Sequence, residues 1–519
     1  MTTATTMMVE DATATGMLVA TYAAKYPTRT AITTRFGDRT WATFNANANR
    51  LVRALRKAGL DSGDSVAIIS RNRPEFVETL AATWRSGLRF TPINFHLKAE
   101  EIGYIVDNCE ARAFIADASL GDAPVEALRF APGVRLALCF GGELPGFDDY
   151  SAAITGFSGE DIPDPQLGGR MLYTSGTTGR PKGVYRKGRI ADAPQGPGTV
   201  SGYLPGDDCA LVTGPGYHAA PLQIDIVTPL SSGASIVMMD KWDAEETLRL
   251  ISTHRITHTH MVATMFHRLL QLPEETRQRY DLSSLRRVIH GAAPCPVHVK
   301  RAMIDWLGPI IWEYYAATEG GGGFLVGSEE WLQKPGTVGK PGPGFDNRIL
   351  DDDGNAVPPG TIGTIYMKAP DKGRFEYYKD AEKTGRSYRG DYFTLGDMGY
   401  FDTDGYLFLT GRTAELIIAG GVNIYPVEVD NELLKHPAVQ DVCTVGVPND
   451  EWGEEVKSVV CLKAGQTASV ELAEDLIIWA KDRLADFKCP RTIAFVDAIP
   501  RSDAGKVQRK EVRARYWPK

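Results

Sequence analysis

The sequence predicts an α/β protein with a large N-terminal domain of doubly wound sheets, a small β-barrel-like subdomain within it, and a small α+β domain at the C-terminus. Before about residue 335, short apolar strands alternate with helices of about 10–15 residues, which is typical of parallel sheets. From about 335 to 411, Gly, Pro and Asp separate short β runs. After Arg412 helices and strands mix again. We therefore predict domains over 1–411 and 412–519.

The first elements are marked by signals at their ends. The segment "TFNANANRLVRALRKAGL" predicts a helix with Thr43 as its N-cap and Gly59 as its stop. Then "SVAIIS" predicts a strand, "PEFVETLAATWRSG" a helix that begins at Pro74, and "FTPINF" another strand. A further helix and strand follow in "AEEIGYIVDNCEARAFIAD". This alternation supports a parallel sheet in the first third of the chain.

The residue pattern changes in the later part of the chain. The segment "PGTVGKPGPGFDNRILDDDGNAVPPGTIGTIYMKAP" predicts a small antiparallel sheet or barrel, with turns near Gly354 and Gly360. After Arg412, "YPVEVDNELLKHP" predicts a helix, "VQDVCTVGVP" and "EEVKSVVCLKAG" predict strands, and "VELAEDLIIWAKDRLADF" predicts a long amphipathic helix.

Composition excludes several classes of protein. The 519 residues carry a net charge of −8, so no basic field would attract nucleic acid. Seven single Cys without a CxxC pair fit a reducing compartment. We see no signal peptide and no apolar run of about 18 residues. The expected location is the cytoplasm, while peripheral membrane contact and oligomer formation stay open.

A loop with the sequence "YTSGTTGRPKGV" (173–184) has the chemistry of a phosphate cradle. It does not fit G-x-x-x-x-G-K-[ST], because Arg180 follows Gly179 and Gly183 follows Lys182. Glycines still let backbone N–H groups approach an anion closely, hydroxyl side chains add donors, and Lys182 adds a cation. The sequence therefore predicts an anion site without the Mg²⁺-binding hydroxyl of the common phosphate loop.

This loop resembles the phosphate loop of the adenylate-forming superfamily, which includes acyl-CoA synthetases, non-ribosomal peptide adenylation domains and luciferases. Six further segments resemble family motifs in the same order, and the resemblance spans roughly residues 12–515. These segments are "GYHAAPL" (216–222), "HGAAPCP" (290–296), "YYAATEGGG" (314–322), "YFTLGDMGYFDTDGYLFLTGR" (392–412), "GGVNIYPVEVDNEL" (420–433) and "IPRSDAGKVQRK" (499–510).

The resemblance implies two half-reactions, in which a carboxylate attacks the α-phosphorus of ATP and coenzyme A then displaces AMP. It implies catalytic roles for Lys506, Thr318, His218 and Glu319, with Glu319 as the Mg²⁺ ligand. The implied ATP and AMP contacts are Thr174, Ser175, Gly176, Thr177, Thr178, Gly179, Lys182, Gly291, Ala292, Ala293, Pro294, Tyr315, Asp397 and Arg412. Within this set, Asp397 would hold the ribose hydroxyls and Arg412 the ribose or phosphate.

The resemblance also implies that the C-terminal domain moves about a hinge just after Arg412. Lys506 would bridge the carboxylate and the α-phosphate during adenylation, and the domain would then rotate to admit coenzyme A. Gly420 and Gly421 would line the pantetheine tunnel. Ala414 departs from the family, which usually has Asp or Lys there, and this puts the polar contacts of the hinge in doubt.

The residues expected in the acyl pocket are mostly small and uncharged, and this suggests the kind of acid that binds there. We expect the acyl pocket at Tyr217, Ala219, Ala220, Gly320, Gly321 and Gly322. Four consecutive glycines leave space, and no Lys, Arg or Asp except Asp225 falls in the stretches expected to form the pocket. We therefore predict an apolar, long or bulky acid, such as a fatty acid or a steroid side-chain acid.

Several alternatives stay open. The acyl group could be loaded onto an acyl carrier protein in trans, and the chain could be a luciferase-like member or a nucleotide-binding regulator. His258 and His260 share a strand face, where buried structural histidines are the simpler interpretation than a metal site. The basic segment "YRKGRI" (185–190) is interpreted as a solvated loop, with lipid or the 3′-phosphate of coenzyme A as alternatives.

Overall fold

The computed structural model describes residues 9–174, 181–186, 202–371, 373–419, 422–449, 452–502 and 505–517. Its strands form five sheets of eight, six, three, six and five strands. The sheets follow the order predicted from the sequence: two mainly parallel sheets, then antiparallel sheets, then a mixed C-terminal sheet. Its α-helices are Val9–Thr15, Leu18–Lys25, Trp41–Lys57, Pro74–Arg85, Ala99–Asn108, Ala123–Ala127, Tyr150–Thr155, Thr228–Ser231, Ala244–His254, Ala263–Gln271, Glu274–Arg279, Val297–Leu307, Ser328–Gln333, Ala381–Ser387, Pro426–Leu433, Val470–Lys481 and Arg509–Ala514.

The eight-stranded sheet carries most of the site at one end. Its central strands are parallel, and an antiparallel strand closes each edge. Residues after the carboxyl ends of parallel strands meet at the same edge of a sheet, which is where α/β proteins bind ligands. The strand order is Gly320–Gly327, Ile311–Ala317, Arg287–His290, His258–Met261, Cys209–Val212, Ser235–Met238, Thr30–Thr34 and Arg39–Thr40.

The six-stranded parallel sheet packs against the first sheet through a shared helix layer. The helix Pro74–Arg85 is buried on nearly every side, because it lies between the two sheets. One apolar core joins Ile32 and Val212 of the first sheet to Val66 and Phe90 of the second. The strand order is Asp148–Asp149, Leu136–Phe140, Ala111–Asp117, Ser65–Ile69, Arg89–Ile93 and Gly169–Arg170.

The β-rich subdomain is antiparallel and is joined to the phosphate-loop strands. Its strands form a six-stranded sheet of Asn347–Leu350, Gly363–Lys368, Tyr388–Arg389, Tyr392–Phe393, Asp397–Phe401 and Leu407–Arg412. Its strand Phe375–Tyr377 instead pairs with Lys182–Arg186, which in turn pairs with Leu172–Thr174. This second connection holds the base of the loop against the subdomain.

The C-terminal sheet has its own apolar core. Its strands are Ile417–Ala419, Val422–Ile424, Val439–Asn449, Gly453–Leu462 and Thr492–Phe495. The helices Pro426–Leu433 and Val470–Lys481 cover one face, where Val429, Leu433 and Leu476 are buried with Val456. The domain could therefore move as a unit, since its core does not depend on the N-terminal domain.

Helix ends differ from the prediction in two places. Thr40 caps the helix Trp41–Lys57, and its side chain accepts a hydrogen bond from the backbone N–H of Thr43, so Thr43 is not the N-cap. The long C-terminal helix ends at Lys481, earlier than its apolar pattern indicated. Both errors are at boundaries, where propensity alone does not show which hydroxyl reaches a free N–H.

Candidate active site

A cavity of about 1420 Å³ lies where the sheets and the C-terminal domain meet. Thr318 and Glu319 reach it from the end of the central sheet, and Lys506 reaches it from the C-terminal domain. Lys506 is far from Thr318 and Glu319 in the sequence, and the three residues were predicted to act together. The cavity is large enough for more than one small ligand.

Asp397 is the centre of a charged cluster beside this cavity. Tyr315 Oη donates to Asp397 Oδ2 at 2.8 Å, and Arg412 Nε donates to Asp397 Oδ1 at 2.9 Å. Register explains the second contact, because Asp397 and Arg412 are directly paired on neighbouring strands. Burial, and next the Asp397 charge, raise the pKa of Tyr315, which therefore stays a neutral donor. The structure thus brings together three residues predicted for the nucleotide, although none of the three lines the cavity itself.

Glu319 presents a carboxylate to the cavity and is held from two sides. Tyr377 Oη donates to Glu319 Oε1 at 2.9 Å, and Arg186 Nη2 donates to the Glu319 carbonyl at 2.8 Å. Mg²⁺ in nucleotide sites is commonly bound by one or two carboxylates together with substrate phosphates and water. A single anchored carboxylate fits that pattern. No group of three His, Cys, Asp or Glu side chains in the described ranges forms a metal site.

The phosphate loop is described only at its two ends. Thr174 and Lys182 pair directly across an antiparallel ladder, so the loop leaves and returns at the same point. Burial, and next the Lys383 ammonium, lower the pKa of Lys182 to about 8. Asp380 lies 4.0 Å from Lys182 Nζ and opposes that shift. The predicted contacts Ser175, Gly176, Thr177, Thr178 and Gly179 lie outside the described residues.

Lys506 faces the cavity from an exposed position on the C-terminal domain. Removal of water from the ammonium, and next the Arg412 charge, lower the pKa of Lys506. Asp397 and Glu319 act in the opposite direction. Gly505 contacts the N-terminal domain, since a Cβ there would lie 2.7 Å from Thr264 Oγ1. Residues of both domains therefore contribute to one cavity in this structure.

The predicted acyl residues divide into two groups. Ala219 and Ala220 line the cavity, together with His218, which was predicted as a catalytic residue. They come just before a π-helical turn, Pro221–Val227, that adds Gln223 and Ile224. Such turns are often found at functional sites. Tyr217 does not line the cavity, because its ring packs edge-on against Phe95 with the centroids 5.4 Å apart. It supports the wall from behind.

Glycine is required at the four positions after Glu319 because of their backbone conformation, and not to leave space in the pocket as predicted. Gly320, Gly321, Gly322 and Gly323 all have positive φ, from +63° to +95°, which side chains other than glycine rarely adopt. Gly320 and Gly321 line the cavity, whereas Gly322 does not. A Cβ at Gly322 would lie 2.7 Å from the carbonyl oxygen of Tyr315. In this structure Gly322 therefore faces backbone and not the cavity, unlike the acyl-pocket position predicted for it.

The segment predicted at the adenine reaches the cavity at one residue. Ala292 lines it with φ of +64°, a strained value for a residue with a Cβ, and such strain is common at functional sites. Gly291, Ala293 and Pro294 do not line the cavity. A Cβ at Gly291 would lie 2.5 Å from the Tyr314 ring, so Gly291 is needed for close packing.

Two polar cavity residues were not predicted as site residues. Tyr314 Oη lies 3.2 Å from His260 Nε2, and His260 Nδ1 lies 3.4 Å from Asp225 Oδ2. Burial raises the pKa of Asp225 to about 6. Tyr314 and His260 line the cavity, whereas Asp225 is behind them. The sequence offered one signal for Tyr314. Side chains alternate between the two faces of the strand Ile311–Ala317, so Tyr314 and Tyr315 point to opposite faces.

The remaining predictions concern the hinge and the surface. Gly420 and Gly421 lie outside the described residues. Ala414 lies in a short 3₁₀ turn, Thr413–Glu415, that directly follows the strand ending at Arg412. Among the described residues, no helix is both long and apolar enough to cross a membrane. His258 packs against the Tyr203 ring at 4.0 Å, which agrees with a buried structural histidine.

Comparison with known proteins identifies the class. The AMP-binding enzyme family matches residues 19–378, and the AMP-binding enzyme C-terminal domain matches residues 428–506. The chain therefore belongs to the AMP-binding enzyme family, and it is an acid–thiol ligase of the AMP-forming acyl-CoA synthetase class. ATP and coenzyme A are the substrates of that class.

The relatives differ in the acids they are named for. A feruloyl-CoA synthase of Amycolatopsis sp is 33% identical over 92% of this chain and 94% of its own. An indoleacetate–CoA ligase of Aromatoleum aromaticum is 32% identical over 94% of this chain and 95% of its own. A fatty acid–[acyl-carrier-protein] ligase of Streptomyces coeruleorubidus is 30% identical over 95% of this chain and 94% of its own.

A solved structure supports the fold. An anthranilate CoA ligase in complex with anthranoyl-AMP is similar to this chain with a TM-score of 0.87. The similarity covers 98% of this chain and 99% of that one, at 24% identity. The predicted α/β fold with a separate C-terminal domain is thereby confirmed.

Proposed function

We propose that this protein activates an apolar, bulky or long carboxylic acid as an acyl-adenylate and transfers the acyl group to coenzyme A. The observation that carries the proposal is the position of Lys506, which shares one cavity with Thr318 and Glu319. A cation on a separate domain serves little structural purpose in an open cavity. It can, however, neutralise charge where two anionic substrates must meet.

The first half-reaction joins an acid to ATP. A carboxylate oxygen attacks the α-phosphorus, and the bond from that phosphorus to pyrophosphate breaks. Lys506 would bridge the two anions, while Lys182 and the loop 174–182 hold the departing phosphates. Asp397 accepts hydrogen bonds, so it suits ribose hydroxyls, and Arg412 is already oriented by it.

Glu319 would hold Mg²⁺ together with substrate phosphates. When bound, the ion would neutralise phosphate charge and help to position the α-phosphorus. Tyr377 fixes one carboxylate oxygen by hydrogen bonding and leaves the other for the ion. Thr318, next to it, would donate its hydroxyl to phosphate oxygen.

The second half-reaction needs a path for a thiol. Its sulfur attacks the acyl carbon, AMP leaves, and the thiol proton passes to solvent. With Lys506 in the cavity, the present arrangement suits the first half-reaction, so we propose that the C-terminal domain rotates after it. Residues 413–415 would be the hinge, and Gly420 and Gly421 would line the pantetheine tunnel.

The nature of the acid follows from the cavity wall. Ala219, Ala220 and Ile224 contribute small or apolar side chains, and Met261 and Met265 add flexible ones. An amino acid is disfavoured at this wall, because Asp225, the acidic residue of the predicted acyl segment, is behind the wall and close to His260. A fatty acid, a steroid side-chain acid or an aromatic acid would fit such a wall.

Transfer to an acyl carrier protein is the second candidate. It is favoured by one relative, which is named for that acceptor. The two functions share the first half-reaction and the same cavity. They differ only in how the thiol is delivered.

A panel of acids tests the proposed function. Pyrophosphate release should depend on the acid and should be faster with decanoate, cholate or ferulate than with acetate, because a small acid leaves most of the wall unfilled. Thioester formation is then compared with coenzyme A and with a phosphopantetheinylated carrier protein. Faster turnover of acetate would contradict the substrate class, and acyl transfer to the carrier alone would favour the second candidate.

The role of Lys506 has its own test. Lys506→Ala should abolish acyl-adenylate formation and leave thioester formation from preformed acyl-adenylate nearly unchanged, since only the first step brings two anions together. Lys481→Ala, at an exposed lysine of the same domain, is the matched control and should change neither step. Equal loss of both half-reactions in Lys506→Ala would contradict the assignment.

A further inference from the structure

Tyr314, His260 and Asp225 form a polar row beside apolar residues of the cavity wall. The neighbouring lining residues Ile224 and Met261 are apolar. His260 is 2% exposed and Asp225 1%. Buried polar groups are costly unless they are paired, so such a row needs a reason.

The geometry indicates which atom donates and which atom accepts in each contact of the row. We assign the ring proton of His260 to Nδ1, because Nδ1 faces the Asp225 carboxylate at 3.4 Å and a carboxylate oxygen accepts hydrogen bonds. His260 Nε2 then carries a lone pair and accepts from the Tyr314 hydroxyl at 3.2 Å. The Tyr314 proton is therefore used within the protein. What its oxygen offers to a ligand is lone pairs.

The position of Tyr314 is set by packing. Its ring lies against Gly291, where any Cβ would come within 2.5 Å of the ring. Along the strand, Tyr314 precedes Thr318 by four residues, or about 13 Å at the usual strand rise. The hydroxyl also faces His260, which in turn faces Asp225 in the turn that follows Ala219 and Ala220, so the row lies on the acyl side of the cavity.

We infer that Tyr314 is a specificity residue, and that the acid carries a hydrogen-bond donor, an O–H or N–H, at the end far from its carboxylate. This inference rests on the proposed function and narrows its substrate class. A donor would complete the row, whereas an ether oxygen would place lone pairs against lone pairs. A site built for a donor discriminates strongly against analogues that lack one.

Matched acids test the inference in the full-length protein. Wild-type kcat/KM is measured with 4-hydroxycinnamate, 4-methoxycinnamate and 4-methylcinnamate, and again with the substituent at ring position 3. The hydroxy acid should exceed both analogues by roughly tenfold in at least one series, as expected for one hydrogen bond. Equal rates for the hydroxy and methoxy acids in both series would overturn the inference.

Variants locate the effect. Tyr314→Phe should reduce the hydroxy-to-methyl ratio to near one and leave the rate with the methyl acid nearly unchanged. Tyr185→Phe, at another cavity tyrosine, is the control and should keep the wild-type ratio. A ratio that survives in Tyr314→Phe would overturn the inference. If that variant does not fold, the wild-type comparison of hydroxy with methoxy acids decides.

Failure of the inference differs from failure of the proposed function. If fatty acids are turned over and all of these aromatic acids are not, the donor rule is wrong and the ligase activity stands. If no acid supports pyrophosphate release, the proposed function itself is wrong.

Discussion

At the scale of single residues, the charges of the site are tuned by their surroundings. Lys182 and Lys506 both have pKa values below those of ordinary lysines, chiefly because protein displaces water around them. Lys182 also has Lys383 nearby, a like charge that favours the neutral form. Bound phosphates would restore the protonated form. Binding of an anion should therefore stabilise the protein by favouring the protonated form of both lysines.

This tuning predicts a pH dependence. A lowered pKa means that Lys182 loses its proton as pH rises through about 8. The kcat/KM for ATP, which reports the free protein, should therefore fall above that pH. Lys182→Arg should retain its activity to higher pH, because a guanidinium stays charged.

A second variant checks the cause. Lys383→Met removes the neighbouring charge and should shift the fall in kcat/KM for ATP to higher pH. Lys481→Met, far from the loop strands in the sequence, should leave the profile unchanged. If neither Lys182→Arg nor Lys383→Met moves the profile, another group controls it.

At the scale of elements, a buried ion pair joins the helix Val297–Leu307 to the strand Ile311–Ala317. Lys300 Nζ lies 2.5 Å from Glu313 Oε2, and Lys300 is 0% exposed. Lys300 also lies over the Trp331 ring at 4.6 Å. The pair is on the opposite face of the strand from Tyr314, so it supports the site from behind.

Breaking this pair should destabilise the N-terminal domain. Lys300→Met leaves a buried carboxylate without its cation and should lower the free energy of unfolding by about 3–5 kcal/mol. Lys300→Met with Glu313→Leu should recover much of that loss, because no uncompensated charge remains. Denaturant unfolding measures both. Arg386→Ala, which removes an exposed pair with Glu382, is the control.

At the scale of the whole molecule, the two domains meet beside Lys506, the residue that we propose for adenylation. Gly505, next to Lys506, has φ of +73°, and a Cβ there would lie 2.7 Å from Thr264 Oγ1 and 2.9 Å from Val262 Cγ2. His267 Nε2 lies 2.9 Å from the Gln440 carbonyl at the same interface. Close approach of the domains therefore depends on a missing side chain.

Filling that space should affect adenylation alone. Gly505→Ala should slow acyl-adenylate formation by roughly tenfold or more, while thioester formation from preformed acyl-adenylate continues. Gly465→Ala is a matched control, since Gly465 has φ of +84° with nothing within 4 Å of its Cβ position. Equal slowing of both steps in Gly505→Ala would mean that the contact is not specific to adenylation.

Local sequence determined much of this protein. Strand and helix patterns predict the order of its sheets, because apolar period and end signals act over a few residues. The motif segments also predict the charged groups of the site, including Asp397, Glu319 and Lys506. The charged groups are implied by the resemblance of these segments to family motifs, which a sequence displays directly.

Tertiary structure alone decided which faces and spaces those residues occupy. The glycines after Glu319 were read as open space, but their positive φ and the Tyr315 carbonyl show that Gly322 faces backbone. Tyr314 and His260 come from strands more than fifty residues apart in the sequence, and only the register of the sheet makes them neighbours. Long-range pairing and close packing are properties of the folded chain, so the wall of the cavity could not be predicted as its charged groups were.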